Sequence, residues 1–456
     1  MSEHAPVVDA GTQRSFGIKS AWFLVFALAV TYLLSFMDRM IITLMVEPLK
    51  RDLGLSDTQV GLLMGFSFAM FYSVFGLPIG RLADRVNRKR IIIVGIAVWS
   101  VATALGGFAQ GFWALFVARV LVGAGEAALS PAALSMIADK FPREKRGPAT
   151  GVFIAGGQLG SAVALIGGGA LLGSLLKQPK IEGVPFVGSV FAWQSVFWIA
   201  GACGIIGILM MALVDEPKRG GQDAPGEGEV KPASISEVIA YLKNNRDAWL
   251  AVLVAPSFYT LLVFAVLTWT PAFFERAYGW SMDVIGPVFG VTALVSGLVS
   301  PVLSGTLIQF MEKRGLEDAP LRTFLYFGAP SAIFMITAML IGNGVLSMVF
   351  LGLGLAASTA VLATPQIGVQ NIAPVAMRGQ VTAMLFLLMN LLGMGGGPLI
   401  VGLITDYGFG DPSALKWSVA ITVFFSAPIG LLLCQRGRKG YVTLVKNNAS
   451  HASGRV

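Results

Sequence analysis

Charge is scarce in this chain: of 456 residues, 13% are Asp, Glu, Lys or Arg and 55% are hydrophobic. A soluble domain carries about a quarter charged residues. Too little polar side chain is present to coat two or three water-facing domains, so lipid is the solvent for most of the chain. Cysteine is nearly missing too. Cys203 and Cys434 both lie in apolar runs and read as small hydrophobes, which excludes a disulfide framework. The two histidines, His4 and His451, lie in polar ends. No metal site and no cofactor is therefore expected, and a proton carrier inside the membrane has to be a carboxylate. There is no Gly-x-x-x-x-Gly-Lys-Ser/Thr loop, so an ATP-driven pump is unsupported. The first twenty residues lack a signal-peptide pattern, so the first apolar run is expected to stay as a helix. The net charge of +8 does not point to nucleic acid, because the basic residues sit in short loops between apolar runs rather than in a stripe interleaved with aromatics.

What the chain does have is apolar length. Spans of membrane-crossing size fall near 21–47, 59–80, 91–108, 112–138, 147–176, 193–214, 249–274, 284–309, 321–342, 346–372, 379–404 and 415–434. They are uniformly apolar rather than alternating, which selects helices over barrel strands. The fold class is all-α: a polytopic membrane protein of twelve transmembrane helices. The expected divisions are a tail 1–20, a six-helix bundle 21–214, a linker 215–248, a second bundle 249–434 and a tail 435–456. Within the linker, Gly220–Glu229 is Gly- and acid-rich, and 233–245 suits a short helix on the membrane surface. Arg81, Arg85, Arg88, Lys89 and Arg90 follow the second span, and Lys140, Arg143, Lys145 and Arg146 follow the fourth. By the bias of basic loops toward the inside, both termini are cytoplasmic in an inner membrane.

The two halves repeat. Adding 225 to Ser56, Gly61, Gly65, Gly80 and Leu82 gives Ser281, Gly286, Gly290, Gly305 and Leu307. At an offset of 232, Pro142, Arg146, Gly147 and Thr150 fall on Pro374, Arg378, Gly379 and Thr382. Paired pseudo-symmetric bundles place a binding site at their interface near the bilayer midplane.

The run Gly80-Arg81-Leu82-Ala83-Asp84-Arg85-Val86-Asn87-Arg88-Lys89 resembles the loop between helices 2 and 3 that marks the major facilitator superfamily, with a degenerate copy at Gly305–Arg314 where Gln309 replaces Asp84. Met37-Asp38-Arg39 and the stretch from Arg119 to Glu126-Ala127 resemble the spinster-like branch. That resemblance implies a secondary transporter working by alternating access on lysolipids or sphingoid phosphates. Organic-anion/proton symporters of the same superfamily share the Asp-Arg pair and the Glu-Ala, and are the alternative. The glycines of a fifth-helix antiporter motif are present at Gly156, Gly157 and Gly160, without its proline.

Four charges fall well inside spans: Asp38, Arg39, Arg119 and Glu126, all in the first half. Intramembrane charge is costly and usually functional. Arg119 and Glu126 are seven residues apart and share a helix face, whereas Asp38 and Arg39 diverge by about 100°. The resemblance implies that all four face a central cavity lined by helices 1, 4, 7 and 10. Asp38 and Glu126 are expected to carry the coupled proton. Arg39 and Arg119 are expected to partner them and to grip an anionic head group. Tyr259, Thr364, Gln366, Gln370 and Asn390 are the cavity residues expected from the second half, with Phe386 and Met389 beside them. Gly80, Asp84, Arg85 and Arg88 are expected to form a cytoplasmic gate, with Asp84 accepting bonds from the start of helix 11. The expected partners are therefore a small amphipathic or anionic solute, protons and membrane lipids, with no nucleic acid, and the chain is expected to act as a monomer. An intramembrane enzyme is disfavoured by the lack of a buried His or a nucleophile with its base. A signalling receptor is disfavoured by the lack of a large extramembrane domain.

Overall fold

The computed structural model describes residues 13–83, 85–177, 180–184, 188–220 and 233–452. Among them, twelve helices are long and apolar enough to cross a membrane. They are α1 (Ala21–Leu44), α2 (Asp57–Ala83), α3 (Arg88–Gly106), α4 (Phe112–Lys140), α5 (Arg143–Leu175), α6 (Ala192–Ala212), α7 (Arg246–Tyr278), α8 (Met282–Lys313), α9 (Ala319–Leu340), α10 (Gly344–Ile372), α11 (Arg378–Phe409) and α12 (Pro412–Asn448). In lipid every backbone polar group needs a partner within the chain, and these runs meet that need as helices. An even number of crossings puts the linker and both chain ends on one side, here termed the tail side; the opposite side is the distal side.

Packing repeats as the sequence does. In the first half α1 packs on α5, α2 on α4, and α3 on both α4 and α6. Adding six to each label gives α7 on α11, α8 on α10, and α9 on both α10 and α12, and all of these pairs are in contact. The second repeated loop is also alike in detail. Arg146 Nε donates to the Phe141 carbonyl at 3.0 Å, and Arg378 Nε to the Ala373 carbonyl at 3.0 Å.

The halves meet along two crossings, α2 on α11 and α5 on α8. Four of the repeated glycines, Gly61, Gly65, Gly286 and Gly290, sit there. A methyl group at Gly61 would lie 2.5 Å from the Pro398 carbonyl oxygen, and one at Gly286 would lie 2.3 Å from that of Leu165. Both contacts are backbone on backbone, so only glycine permits them. Each crossing carries a wide π-type turn: Leu62–Phe66 in α2, Ala164–Gly168 in α5 and Met389–Gly395 in α11. Such turns loosen the helical ladder and let the backbone bend toward its neighbour.

Three features depart from the expected layout. A two-stranded antiparallel hairpin, β1 (Lys180–Val184) with β2 (Gly188–Phe191), fills the loop after α5. Residues 13–20 extend the first helix rather than forming a tail. The last helix runs on to Ala452, so 435–452 is not a free tail. The reason is docking: Tyr441 is buried, and the Asn448 side chain donates to the Asn371 and Ile372 carbonyls at 3.2 and 3.1 Å.

The linker helix forms at Ile235–Asn244, fixed by a reciprocal cap in which Ser234 N donates to Glu237 Oε2 at 2.7 Å and Glu237 N donates to Ser234 Oγ at 3.3 Å. The Gly- and acid-rich run between Gly221 and Glu229, together with residues 1–12 and 453–456, lies outside the described residues.

Candidate functional site

The four intramembrane charges come together inside the first half, and they pair crosswise between α1 and α4. Arg39 Nε donates to Glu126 Oε2 at 2.6 Å, and Ser35 Oγ donates to the same oxygen at 2.5 Å. Arg119 Nη1 lies 3.8 Å from Asp38 Oδ1, while the other oxygen of Asp38 accepts from Thr103 of α3. All four side chains are buried, none of them more than 7% exposed. The cluster is neutral as a whole, the condition under which charge can be held in a dry interior.

The set is not saturated. Asp38 Oδ1, Glu126 Oε1, and Arg119 Nε and Nη1 are buried with no hydrogen-bond partner. Buried polar atoms are nearly always bonded, so an open set of this size is unusual. Aromatic faces enclose the cations. The Arg39 guanidinium lies 4.6 Å from the ring centres of Phe36 and Phe68 and 5.0 Å from that of Tyr72.

Tyr72 is also the wall of a cavity. A groove of about 630 Å³ runs between the halves on the tail side, with Tyr72, Ser73 and Arg81 of α2 and Ala127 and Pro131 of α4 on one flank. Gln380, Met384, Phe386 and Asn390 of α11 form the other flank, and Ile235, Val238 and Ile239 of the linker helix line its mouth. The charge cluster therefore lies one aromatic layer behind the groove instead of on its surface.

Of the expected cavity residues, Asn390 lines this groove with Phe386 beside it, whereas Tyr259, Thr364, Gln366 and Gln370 are not among its lining residues. Tyr259 is buried and its hydroxyl bonds the Gly328 carbonyl and Ser331 of α9, so it ties α7 to α9. Thr364 is buried and returns its hydroxyl proton to the Val361 carbonyl at 2.9 Å. Gln366 is half-buried in α10, with Oε1 unpartnered. Gln370 lines a separate polar pocket of about 470 Å³ with Glu312, Glu317 and Arg378. The α10 stretch that carries these three residues packs on α9, the start of α11 and the end of α12.

The distal side is shut by groups that no spacing in the sequence singles out. Arg276, at the end of α7, donates from Nη1 and Nη2 to the two oxygens of Asp57 at 2.9 and 2.7 Å, and from Nε to Glu47 at 2.7 Å. Asp57 also accepts from Lys50 at 2.5 Å. Asp406 of α11 accepts from the backbone amides of Asp57 and Thr58 at 3.2 and 2.6 Å. A carboxylate thus rests on the positive end of α2 from across the interface.

At the tail side, Gly80 has open space around it and Arg85 is exposed. Arg88 is buried and bonds Asp139, Glu216 at 2.9 Å, Ser135 at 2.8 Å and the Pro217 carbonyl at 2.8 Å, so its hydrogen bonds stay on the first half's side of the groove. Asp84 lies outside the described residues. The molecule is closed distally and open on the tail side.

Comparison with known proteins agrees with this architecture. The family model described as Major Facilitator Superfamily matches residues 28–398. An MFS-type efflux pump of Mycolicibacterium smegmatis is 27% identical over 433 residues, 94% of this chain and 94% of that protein. A sphingosine-1-phosphate transporter of Danio rerio is 27% identical over 430 residues, 88% of this chain and 78% of that protein. The crystal structure of a bacterial homolog of the human lysosomal transporter Spinster, inward-facing and unoccupied, matches with a TM-score of 0.75 at 25% identity, covering 94% of this chain and 97% of that one. With twelve membrane helices in two repeated halves, paired intramembrane charges and a groove between the halves, the chain belongs to the Major Facilitator Superfamily, in its spinster-like branch.

Proposed function

We propose that this transporter moves an amphipathic anion of lysolipid or sphingoid-phosphate type across the inner membrane by alternating access, driven by protons that Asp38 and Glu126 carry. The observation that carries this reading is the neutral, unsaturated quartet behind Tyr72. In the tail-open state each carboxylate is held by one arginine. A proton on Glu126 releases Arg39, whose guanidinium is separated from the groove by the Tyr72 ring. Arg39 then gains its neutralising partner from the anionic head group instead, since a guanidinium matches carboxylate and phosphate alike. The free energy of binding and of protonation is thereby placed on one set of atoms, which is what coupling requires.

The apolar flank of Met384, Phe386 and Leu387 supports a cargo with a hydrocarbon chain. The sphingosine-1-phosphate transporter among the relatives supports the same class. The basic loops after α2 and α4 support a cytoplasmic tail side. One chain supplies both halves and the groove, so a monomer suffices.

The test is flux into proteoliposomes under an imposed pH gradient, with lysophospholipids and short dicarboxylates as competing cargo. Uphill flux of the wild type and its loss in Asp38→Asn and Glu126→Gln, with downhill exchange retained, is the expected result. Undiminished pH-driven flux in both variants refutes proton coupling through these groups. Competition by short dicarboxylates but not by lysolipids replaces the cargo with an organic anion.

A further inference from the structure

We propose that Arg81 is the head-group ligand of the carried anion in the tail-open state, and that the linker helix is the wall that selects its chain; this rests on the reading above that the cargo is an amphipathic anion. In the sequence Arg81 is one more cation of a basic loop. In the fold it lines the groove, at the tail-side end of α2, and is exposed. Charge complementarity favours an anion: among the described residues, those lining the groove include this one cation and no carboxylate. Before Glu126 takes up a proton, Arg39 and Arg119 are, by contrast, neutralised by Glu126 and Asp38, so Arg81 is the cation that an arriving head group meets first. Among the described residues Arg81 makes neither an ion pair nor a hydrogen bond, so its five donors are available for an incoming phosphate or carboxylate.

The remainder of the groove suits a chain. From Arg81 inward to Tyr72 is nine residues, roughly 13 Å along α2. Phe386 and Leu387 of α11 are 50% and 38% exposed, and Ile235 and Ile239 of the linker helix are 70% and 43% exposed. These apolar side chains face the groove beside a cation, the arrangement an amphipathic anion needs. The groove's volume of about 630 Å³ falls in the small-ligand range of about 300–1,000 Å³.

The linker helix is a fixed wall, and it belongs to the second half. Ala233 N donates to the Ala376 carbonyl at 3.2 Å, Gln380 Nε2 to the Ala233 carbonyl at 2.7 Å, and Tyr241 to the Ile372 carbonyl at 3.1 Å. Arg81 belongs to the first half. Head and chain are therefore held by different halves, and a bound amphiphile bridges the two bodies that must rock against each other. A short anion reaches Arg81 alone; an uncharged lipid reaches the wall alone.

The experiment measures binding to full-length protein in nanodiscs of zwitterionic phosphatidylcholine, using a chain-length series of lysophosphatidates and the matching uncharged monoacylglycerols. Loss of a charge-assisted contact is expected to weaken lysophosphatidate binding roughly tenfold in Arg81→Gln. Monoacylglycerol binding should be unchanged and Arg81→Lys should recover most of the loss. Ile235→Ser with Ile239→Ser should weaken long chains of both series and spare short ones. Unchanged lysophosphatidate affinity in Arg81→Gln overturns the head-group assignment. Equal weakening of both series shows a structural role and overturns it as well. Chain-length profiles that the isoleucine changes leave untouched overturn the wall. Should the wild type bind no lysophosphatidate of any length, the cargo reading itself fails, and this proposal falls with it.

Discussion

The two halves share a packing scheme and differ in what they bury. Among the described residues the first half buries six charged side chains: Asp38, Arg39, Asp57, Arg88, Arg119 and Glu126. The second buries Asp318, in a loop. At the repeat offset of 225, Asp38 and Arg39 correspond to Val263 and Phe264. Backbone symmetry is thus kept where the halves must touch, at Gly61 and Gly286, while the buried charge inside the membrane spans lies in the first body. Changes at symmetric positions should then act alike, and changes at asymmetric ones should not.

The largest effect is expected from breaking the charge asymmetry. Arg39→Met strips Glu126 of its cation in a site already holding an unpartnered Oε1. Leaving a buried charge uncompensated costs about 3–5 kcal/mol. Thermal unfolding in detergent should show that loss. Arg39→Met with Glu126→Met should recover most of it, because the remaining Asp38–Arg119 pair is again neutral. A hydroxyl deletion in the other half, Thr268→Val, removes a bond that closes on its own helix and should cost far less. Equal losses for Arg39→Met and Thr268→Val would erase the distinction between the halves.

Next comes the symmetric pair. A valine at Gly61 or at Gly286 drives side-chain carbon into a facing carbonyl and cannot be accommodated while the distal side is shut. Both variants should shift toward a distal-open form, read as labelling of a cysteine introduced beside Asp57 by a membrane-impermeant thiol reagent. Similar labelling from the two variants is expected. If only one responds, the crossings are not equivalent. Arg276→Gln should open the same side less, since Asp57 keeps Lys50 and its amide keeps Asp406.

These contrasts also show which parts of the molecule can be read without coordinates. The helices and the repeat were legible because apolar length and glycine spacing are local signals. The quartet was legible as four costly charges, but its pairing was not. Arg39 and Glu126 are 87 residues apart, and their meeting depends on how α1 lies on α4. The enclosing groups Ser35, Thr103, Phe68 and Tyr72 carry no charge and give no signal. Polarity inside a span misled, because hydroxyls such as that of Thr364 are satisfied by their own helix. Arg81 counted among the basic residues that set topology, yet it lines the groove, and Arg276, which no pattern singles out, closes the far side.

The smallest expected effect concerns the buried charge of the second half. Asp318 sits between α8 and α9 and accepts from Arg322 at 2.6 Å and Arg438 at 2.8 Å. Burial pushes its carboxyl up, but the two guanidinium bonds outweigh burial and hold it below the usual carboxylate range. A carboxyl that is more acidic folded than unfolded adds stability above its unfolded pKa, about 3.9, and loses it as pH falls through the lower folded value. Both arginines are partly exposed to solvent, which screens the ion pairs, so the gain is under about 1 kcal/mol. Wild type should therefore exceed Asp318→Asn slightly in melting temperature at pH 7, and the gap should close below about pH 4. A gap of equal size at both pH values would mean that the side chain holds α9 to α12 through its hydrogen bonds alone. The second half would then have no charge-dependent contact of this kind, and the contrast with the first half would be sharper than drawn.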